Sequence, residues 1–398
     1  MLQGKRIVLG ISGGIAAYKM ANVASMLVKL HADVRVVMTK NATRFITPET
    51  FETLTANHVY TDVFDESGDL HVPHVNLGTT ADCILIAPAT ADVLGKIAHG
   101  IADDMLTTTV LPATCPVLIS PSMNVNMYEN KIVQNNMQIL RDYGYEVIEA
   151  DSGFLACRTE GRGKLPKEED LVEYILRACA TEKTLAGKKV LVTAGATQEA
   201  IDPVRYITNH STGKMGYAVA RMAMLMGADV TLVSGRTALK KPLFVDVVDV
   251  VSAKDMYDAV TARANDFDII VKAAAVADYR PKSVADEKIK KSDADASIAL
   301  SRTDDILGYL GAHKKAGQVL CGFSMETENL IENSRAKLEK KNADMIVANS
   351  IKEIGAGFGT DTNIVTMITK DSMTELPILS KEEVAVKLLT ALSELNRA

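Results

Sequence analysis

The sequence predicts an α/β protein made of two Rossmann-like domains with mainly parallel sheets. Three observations predict it. Short β-branched runs alternate with helix-length amphipathic stretches along all 398 residues, as expected of parallel strands joined by crossover helices. The pattern then restarts: Gly4-Lys5-Arg6-Ile7-Val8-Leu9 is echoed by Gly187-Lys188-Lys189-Val190-Leu191-Val192, and Ala32-Asp33-Val34 by Ala228-Asp229-Val230. Finally, a single hydrophobic core rarely grows past about 250–300 residues, so a chain of this length divides.

The elements follow in order. Arg6–Ile11 reads as a strand and Ile15–Leu30 as a helix; Val34–Met38, Cys83–Ala87 and Pro116–Ser120 read as further strands. A polar linker at 181–186 separates a domain at 1–180 from one at 187–398. The second half offers strands at Val190–Thr193, Val230–Val233, Asp268–Lys272, Val319–Phe323 and Met345–Ala348. Asn363–Ile368 and Glu375–Leu379, joined by a polar turn, look like a hairpin, and a closing helix runs from Lys381 to about Leu395.

Composition narrows the function classes. Hydrophobic residues at 47% and charged residues at 24% describe an ordinary globular chain with a large core. A net charge of −6 argues against nucleic acid as partner, but leaves room for anionic small ligands in a local basic pocket. The N-terminus runs straight into a strand-like segment without a signal-peptide pattern, and no apolar run approaches the ~20 residues of a membrane helix. Cys83, Cys115, Cys157, Cys179 and Cys321 are odd in number, scattered, and lack zinc spacing. A cytoplasmic protein with no membrane partner is expected.

Four segments of the first half carry chemistry. Gly10–Ala17, between the first strand and helix, can bring backbone N–H groups to an anion at a helix start. Many such turns only pack a helix onto its sheet. The pattern is not G-x-G-x-x-G, and the second strand ends in Thr39-Lys40, with no acid for an adenosine ribose. A mononucleotide phosphate fits better than a dinucleotide. The others are His71-Val-Pro-His74-Val-Asn76, Pro121-Ser-Met-Asn124-Val-Asn126-Met-Tyr128, and the Gly-rich run from Gly153 through Cys157 to Pro166. Singly each has a bland reading: a structural histidine, an asparagine cap, a core cysteine, a surface loop.

Together these segments resemble the flavin-containing cysteine decarboxylases, specifically the decarboxylase half of the bifunctional phosphopantothenoylcysteine decarboxylase/phosphopantothenate–cysteine ligases. The resemblance implies FMN bound through Ser12, Gly13, Gly14, Thr39 and Thr90. It implies His74 as catalytic histidine, Asn124 on the substrate carboxylate, and Cys157 on a mobile flap as the acid that protonates an intermediate. A simple α-carboxylate has no electron sink. Oxidation of the cysteine thiol side to a thioaldehyde provides one, and a nearby thiol can return a proton. The flap excludes water meanwhile. Arg158 stands where that family commonly has Gly, and Lys164 where it often has Met; both could add cationic contacts to a substrate phosphate.

The second half has its own motifs. Strand, Gly-containing turn and the run Ile201-Asp-Pro-Val-Arg205-Tyr-Ile-Thr-Asn209-His-Ser-Thr-Gly213-Lys-Met-Gly216 lead into a helix at Gly213, able to present donors to phosphate or to be a plain capped helix start. Lys272-Ala-Ala-Ala-Val-Ala-Asp278 follows a strand and is succeeded by Lys288-Ile-Lys290-Lys291. Lys337 and Lys341 stand i,i+4 on a predicted helix, as a triphosphate grip or as surface lysines. The sum resembles the phosphopantothenate–cysteine ligase half of the same bifunctional family. That implies Arg205 and Asn209 on the substrate and its acyl intermediate. It also implies a CTP site at Lys272, Ala273, Ala274, Asp278, Lys288, Asp304, Asp305, Ile306, Leu307, Phe323, Lys337 and Lys341. CTP would activate the pantothenate carboxylate as an acyl-cytidylate, with Mg²⁺ (its ligands unassigned) and lysines offsetting charge, before cysteine attacks. Homo-oligomers are expected, trimeric through the first half and dimeric through the second. Two other classes compete: a nicotinamide dehydrogenase, which lacks its fingerprint here, and a non-catalytic flavin-binding regulatory protein.

Overall fold

The computed structural model describes residues 1–65, 67–154, 156, 158–291, 297–326, 328–350, 357 and 359–396. They form two compact units, Met1–Thr181 and Glu182–Ala398. In the first, six strands lie in the spatial order Val59–Tyr60, Asp33–Met38, Arg6–Ile11, Cys83–Ala89, Val117–Pro121 and Glu146–Val147, all parallel. The Cys83–Ala89 strand is buried throughout, as strands covered on both faces must be. At the sheet's opening edge Arg6 Nε meets Asp33 Oδ2 at 2.8 Å, beside the register pair Arg6↔Asp33.

The second unit repeats the order. Asp246–Asp249, Asp229–Ser234, Lys189–Ala194, Ile269–Lys272, Val319–Glu326 and Met345–Ser350 run parallel. Val365–Thr369 and Met373–Glu375 then extend the sheet antiparallel. Both domains therefore have the 3-2-1-4-5-6 arrangement, in which the chain reverses its direction of travel between the first and fourth strands.

Two elements depart from the sequence reading. The first helix opens as a 3₁₀ turn, Ile15–Lys19, before the α-helix Met20–Lys29. Gly14 is still extended, and the Ala17 N–H to Gly14 carbonyl bond at 2.9 Å closes a tight i→i+3 turn. The expected hairpin is narrower: Val365–Thr369 pairs with Met373–Glu375, while Thr362–Asn363 pairs separately with Leu379–Ser380. The Asn363 side chain accepts its neighbour's N–H, from Ile364, at 3.1 Å. Pro377 has no N–H with which to continue the ladder. The closing helix, Lys381–Leu395, starts on a Ser380/Glu383 capping box.

Candidate active sites

In each sheet the reversal point opens a crevice at the C-terminal strand ends. In the first domain, Gly13 and Gly14 after the first strand and Thr90 after the fourth border a cavity of about 430 Å³. That is within the about 300–1,000 Å³ usual for cofactor sites. Ile15, Met123, Met127, Phe154 and Leu165 give it apolar walls; Lys19, Ser122, Asn124 and Lys164 give it polar ones.

Local sequence explains the cradle. A Cβ on Gly13 would lie 2.5 Å from Asn41 Cβ and 2.9 Å from its carbonyl carbon, so only glycine lets the loop lie this close. Ser12, buried beneath, donates to the Pro88 carbonyl at 2.6 Å and accepts the Thr90 N–H at 3.0 Å. Thr90 in turn caps the helix Ala91–Ala98.

Asn124 lines the cavity and also caps the short helix Val125–Tyr128, accepting the Asn126 N–H at 2.9 Å. A hairpin of Asp151–Phe154 and Glu160–Lys164 lies against this asparagine segment. The Met123 N–H donates to the Gly163 carbonyl at 3.0 Å. At φ +141°, a Cβ on Gly163 would sit 2.3 Å from the Met123 oxygen. Arg162 anchors the hairpin base on Glu149 at 2.8 Å, and Glu149 also accepts from the Tyr128 hydroxyl at 3.0 Å. Arg158, at the hairpin tip, holds φ +64°. Cys157 lies outside the described residues.

Three expected flavin-site residues are not on these walls: Ser12 lies beneath them, tied to Pro88 and Thr90. Thr39 turns inward and accepts the Ala42 N–H at 3.3 Å. His74, on the helix Pro73–Thr80, is absent from the cavity lining, and its buried Nδ1 has no hydrogen-bond partner among the described residues. The arrangement suits a flat mononucleotide cofactor: glycines at the phosphate end and an apolar slot beyond. Ser122, Asn124, Met127, Lys164 and Leu165 came from the motifs; Lys19 carried no distinguishing sequence signal.

The second domain has two adjoining clefts, of about 380 and 220 Å³, sharing Lys272, Val276, Asp278 and Lys337. The larger adds Asp304, Asp305, Ile306, Leu307 and Lys341; the smaller adds Ala273, Ala274 and Phe323. The loop after Lys272 is tied down, with Ala274 N–H on Thr193 Oγ1 at 3.1 Å and Ala277 N–H on Thr197 Oγ1 at 3.0 Å. Lys337 donates to the Phe323 carbonyl at 3.0 Å. Lys341 pairs with Asp305, which caps the next helix through the Gly308 N–H at 2.9 Å. Burial and then the nearby Lys337 charge pull the Lys272 ammonium down to about 8. A triphosphate arriving here would meet a ready concentration of cations.

Three expected ligase residues lie off these walls. Asn209 donates to the Ala275 carbonyl at 3.1 Å, Arg205 is engaged with Asp202, and Lys288 is exposed. Conversely, the smaller cleft includes Gly213, Lys214, Asn349 and Lys381. The Gly213–Gly216 motif flagged the first two. Lys381, 6% exposed, looked like an ordinary first helical residue. Among the described residues no group of three or more His, Cys, Asp or Glu side chains could cage a metal.

Two sheets of Rossmann order, each with a crevice at its reversal point, define a two-domain α/β protein of doubly wound class. Residues 1–180 match the flavoprotein family, and residues 185–395 match the DNA/pantothenate metabolism flavoprotein C-terminal domain. The coenzyme A biosynthesis bifunctional protein CoaBC of Bacillus subtilis (strain 168) is 48% identical over 401 residues, covering 100% of this chain and 98% of that protein. That of Vibrio vulnificus (strain YJ016) is 42% identical over 396 residues, covering 99% and 98%. A crystal structure of the C-terminal domain of a CoaBC protein is 48% identical and covers 54% of this chain and 98% of that one, at a TM-score of 0.47. The chain belongs to the CoaBC family of bifunctional coenzyme A biosynthesis proteins, with a flavoprotein decarboxylase domain followed by a ligase domain. The reading as a non-catalytic regulatory protein finds no support in these relatives.

Proposed function

We propose that the second domain joins 4′-phosphopantothenate to cysteine at the expense of CTP, and that the first domain, with FMN, decarboxylates the phosphopantothenoylcysteine so formed to 4′-phosphopantetheine. The observation that carries the ligase half is the convergence of Lys272, Lys337 and Lys341 with Asp278 around one cleft. A carboxylate and a triphosphate repel each other, and three ammonium groups offset that repulsion where charge builds up. Mg²⁺ fits as a companion of the nucleotide, because it is usually held by one or two carboxylates plus substrate phosphates rather than by a protein cage. Asp278, Asp304 and Asp305 stand at the cleft to share it.

In the first domain, Gly13, Gly14 and Thr90 would hold the FMN phosphate, and the slot between Ile15 and Met123 its ring. Bound there, FMN supplies a two-electron acceptor and donor. Asn124 orients the substrate carboxylate, and the hairpin carrying Cys157 closes over it to exclude water and deliver a proton. His74 stands outside the cavity lining, and its buried Nδ1 is unsatisfied among the described residues. A second copy therefore completes the decarboxylase site in our reading, which makes the enzyme a homo-oligomer. A cytoplasmic location accords with this chemistry; among the described residues no helix is long and apolar enough to cross a membrane.

The test is incubation with 4′-phosphopantothenate, cysteine, CTP and Mg²⁺, followed by mass spectrometry. 4′-Phosphopantetheine is expected, with phosphopantothenoylcysteine accumulating in the Cys157→Ser variant. Absence of any condensation product would refute the ligase assignment. For His74, mixing inactive His74→Asn and Asn124→Ala proteins restores decarboxylation only if sites are shared between copies.

A further inference from the structure

Asp202 belongs to the Ile201–Gly216 motif, yet neither cleft contains it. Its side chain is 0% exposed and accepts five hydrogen bonds. The two oxygens divide the work. Oδ1 takes the Val204 and Arg205 N–H groups, each at 2.8 Å, and so forms the local turn. Oδ2 takes Arg205 Nε at 2.9 Å, Arg205 Nη2 at 2.5 Å and the Ile289 N–H at 3.1 Å. Arg205 Nη2 also donates to the Ile289 carbonyl at 2.8 Å, and the Ala285 N–H donates to the Ile201 carbonyl at 3.0 Å. Both backbone groups of Ile289 are thus pinned by residues more than 80 positions earlier.

Ile289 follows Lys288 directly. The lysine run is exposed, and an exposed loop without such ties samples many conformations, each of which must be surrendered when a ligand is gripped. Hydrogen bonds to an ionised partner are the strong kind. The Arg205 guanidinium keeps the Asp202 carboxyl well below the usual carboxylate range, so these bonds persist wherever the enzyme works.

We propose that Asp202 is a positioning residue of the ligase reaction: its Oδ2, directly and through Arg205, fixes the backbone at Ile289 from which Lys288 reaches the nucleotide. This rests on the reading above that Lys288 serves CTP. Arg205 then acts at least in part by holding this loop, not only by touching substrate.

Asp202→Asn in the full-length chain separates the two oxygens. The amide oxygen can still form the local turn, while an NH₂ in place of Oδ2 cannot accept from Arg205 or Ile289. CTP-dependent pyrophosphate release would be followed over a range of CTP concentrations for the wild type, Asp202→Asn, Lys288→Ala and the double variant. Thermal unfolding would report integrity. We expect each single change to lower kcat/KM for CTP by about tenfold, and the double variant to be no worse than Lys288→Ala alone, because residues acting as one unit are not additive. Arg205→Lys, which keeps the charge but loses the fork, should lower it in the same non-additive way and decides the matter if Asp202→Asn fails to fold. Losses that multiply, or a wild-type Asp202→Asn beside an impaired Lys288→Ala, would overturn the positioning role alone. A fully active Lys288→Ala would overturn the assignment of Lys288 to CTP and this proposal with it.

Discussion

Ser12 and Thr90, 78 residues apart, are joined by the Thr90 N–H to Ser12 Oγ bond at 3.0 Å across the reversal point of the first sheet. Ser12 reaches from the end of the first strand and Thr90 from the end of the fourth, so the bond sets the width of the crevice mouth. Ser12→Ala removes the acceptor and leaves the Thr90 N–H without its partner. We expect flavin affinity to fall about tenfold, the cost of one unmade buried hydrogen bond. Titration of apoprotein with FMN, followed by flavin fluorescence, checks it; unchanged affinity would show that the tie does not shape the site.

Gly163 tests the hairpin. Its positive φ and the 2.3 Å approach to the Met123 carbonyl leave no room for a methyl group. Gly163→Ala should cost about 1–3 kcal/mol locally and push the hairpin off the Asn124 segment. Decarboxylation should drop at least as far as that energy implies, while pyrophosphate release by the ligase domain stays normal. Equal loss of both activities would point to general misfolding instead.

Arg158 offers the converse experiment. A non-glycine residue at φ +64° carries a conformational cost of about 1–2 kcal/mol. Arg158→Gly relieves it, although glycine's added freedom in the unfolded chain offsets part of the gain. The net effect expected on the thermal midpoint is small, within about 2 °C. If the guanidinium contacts the substrate phosphate, KM for phosphopantothenoylcysteine rises severalfold; an unchanged KM removes that contact.

On the proposed ligase reading, Lys272 should make CTP binding pH-dependent. Its ammonium loses its proton near pH 8 in the free enzyme, well below an ordinary lysine, because burial and the Lys337 charge disfavour it. A bound triphosphate favours the charged form and raises that value again. Affinity for CTP should therefore be flat below pH 8 and fall as pH rises through and above it, approaching tenfold per pH unit. Calorimetry at pH 7, 8 and 9 measures this, and proton uptake at pH 8.5 should accompany binding. Lys272→Met should bind more weakly and show no such fall.

Much of the fold was legible because parallel strands buried on both faces must be continuously apolar. Val190–Thr193, Met345–Ala348 and the closing helix therefore stood out by composition alone, and the observed strands lengthen them by a residue or two at the ends. The hairpin near Asn363 was legible, but the break in its ladder was not, because one side-chain hydrogen bond and one proline interrupt the pairing without altering the apolar pattern. The second-domain cleft was partly legible: Lys272, Asp278, Lys337 and Lys341 were singled out in the sequence, and all four line it. Lys381 was invisible, since a lysine at the start of a helix looks the same whether it meets solvent or a crevice.

The sequence by itself determined two Rossmann-like halves, their order, and the residue types from which a flavin site and a nucleotide site could be made. Hydrophobic periodicity and glycine placement act locally, so they can be read locally. The tertiary structure alone decided which of those residues meet. It put Thr90 beside Ser12, laid Gly163 on Met123, left His74 outside the cavity lining, and bound Asp202 to Ile289. Contacts between residues 40 to 90 positions apart depend on how strands are ordered in space, which no local pattern records.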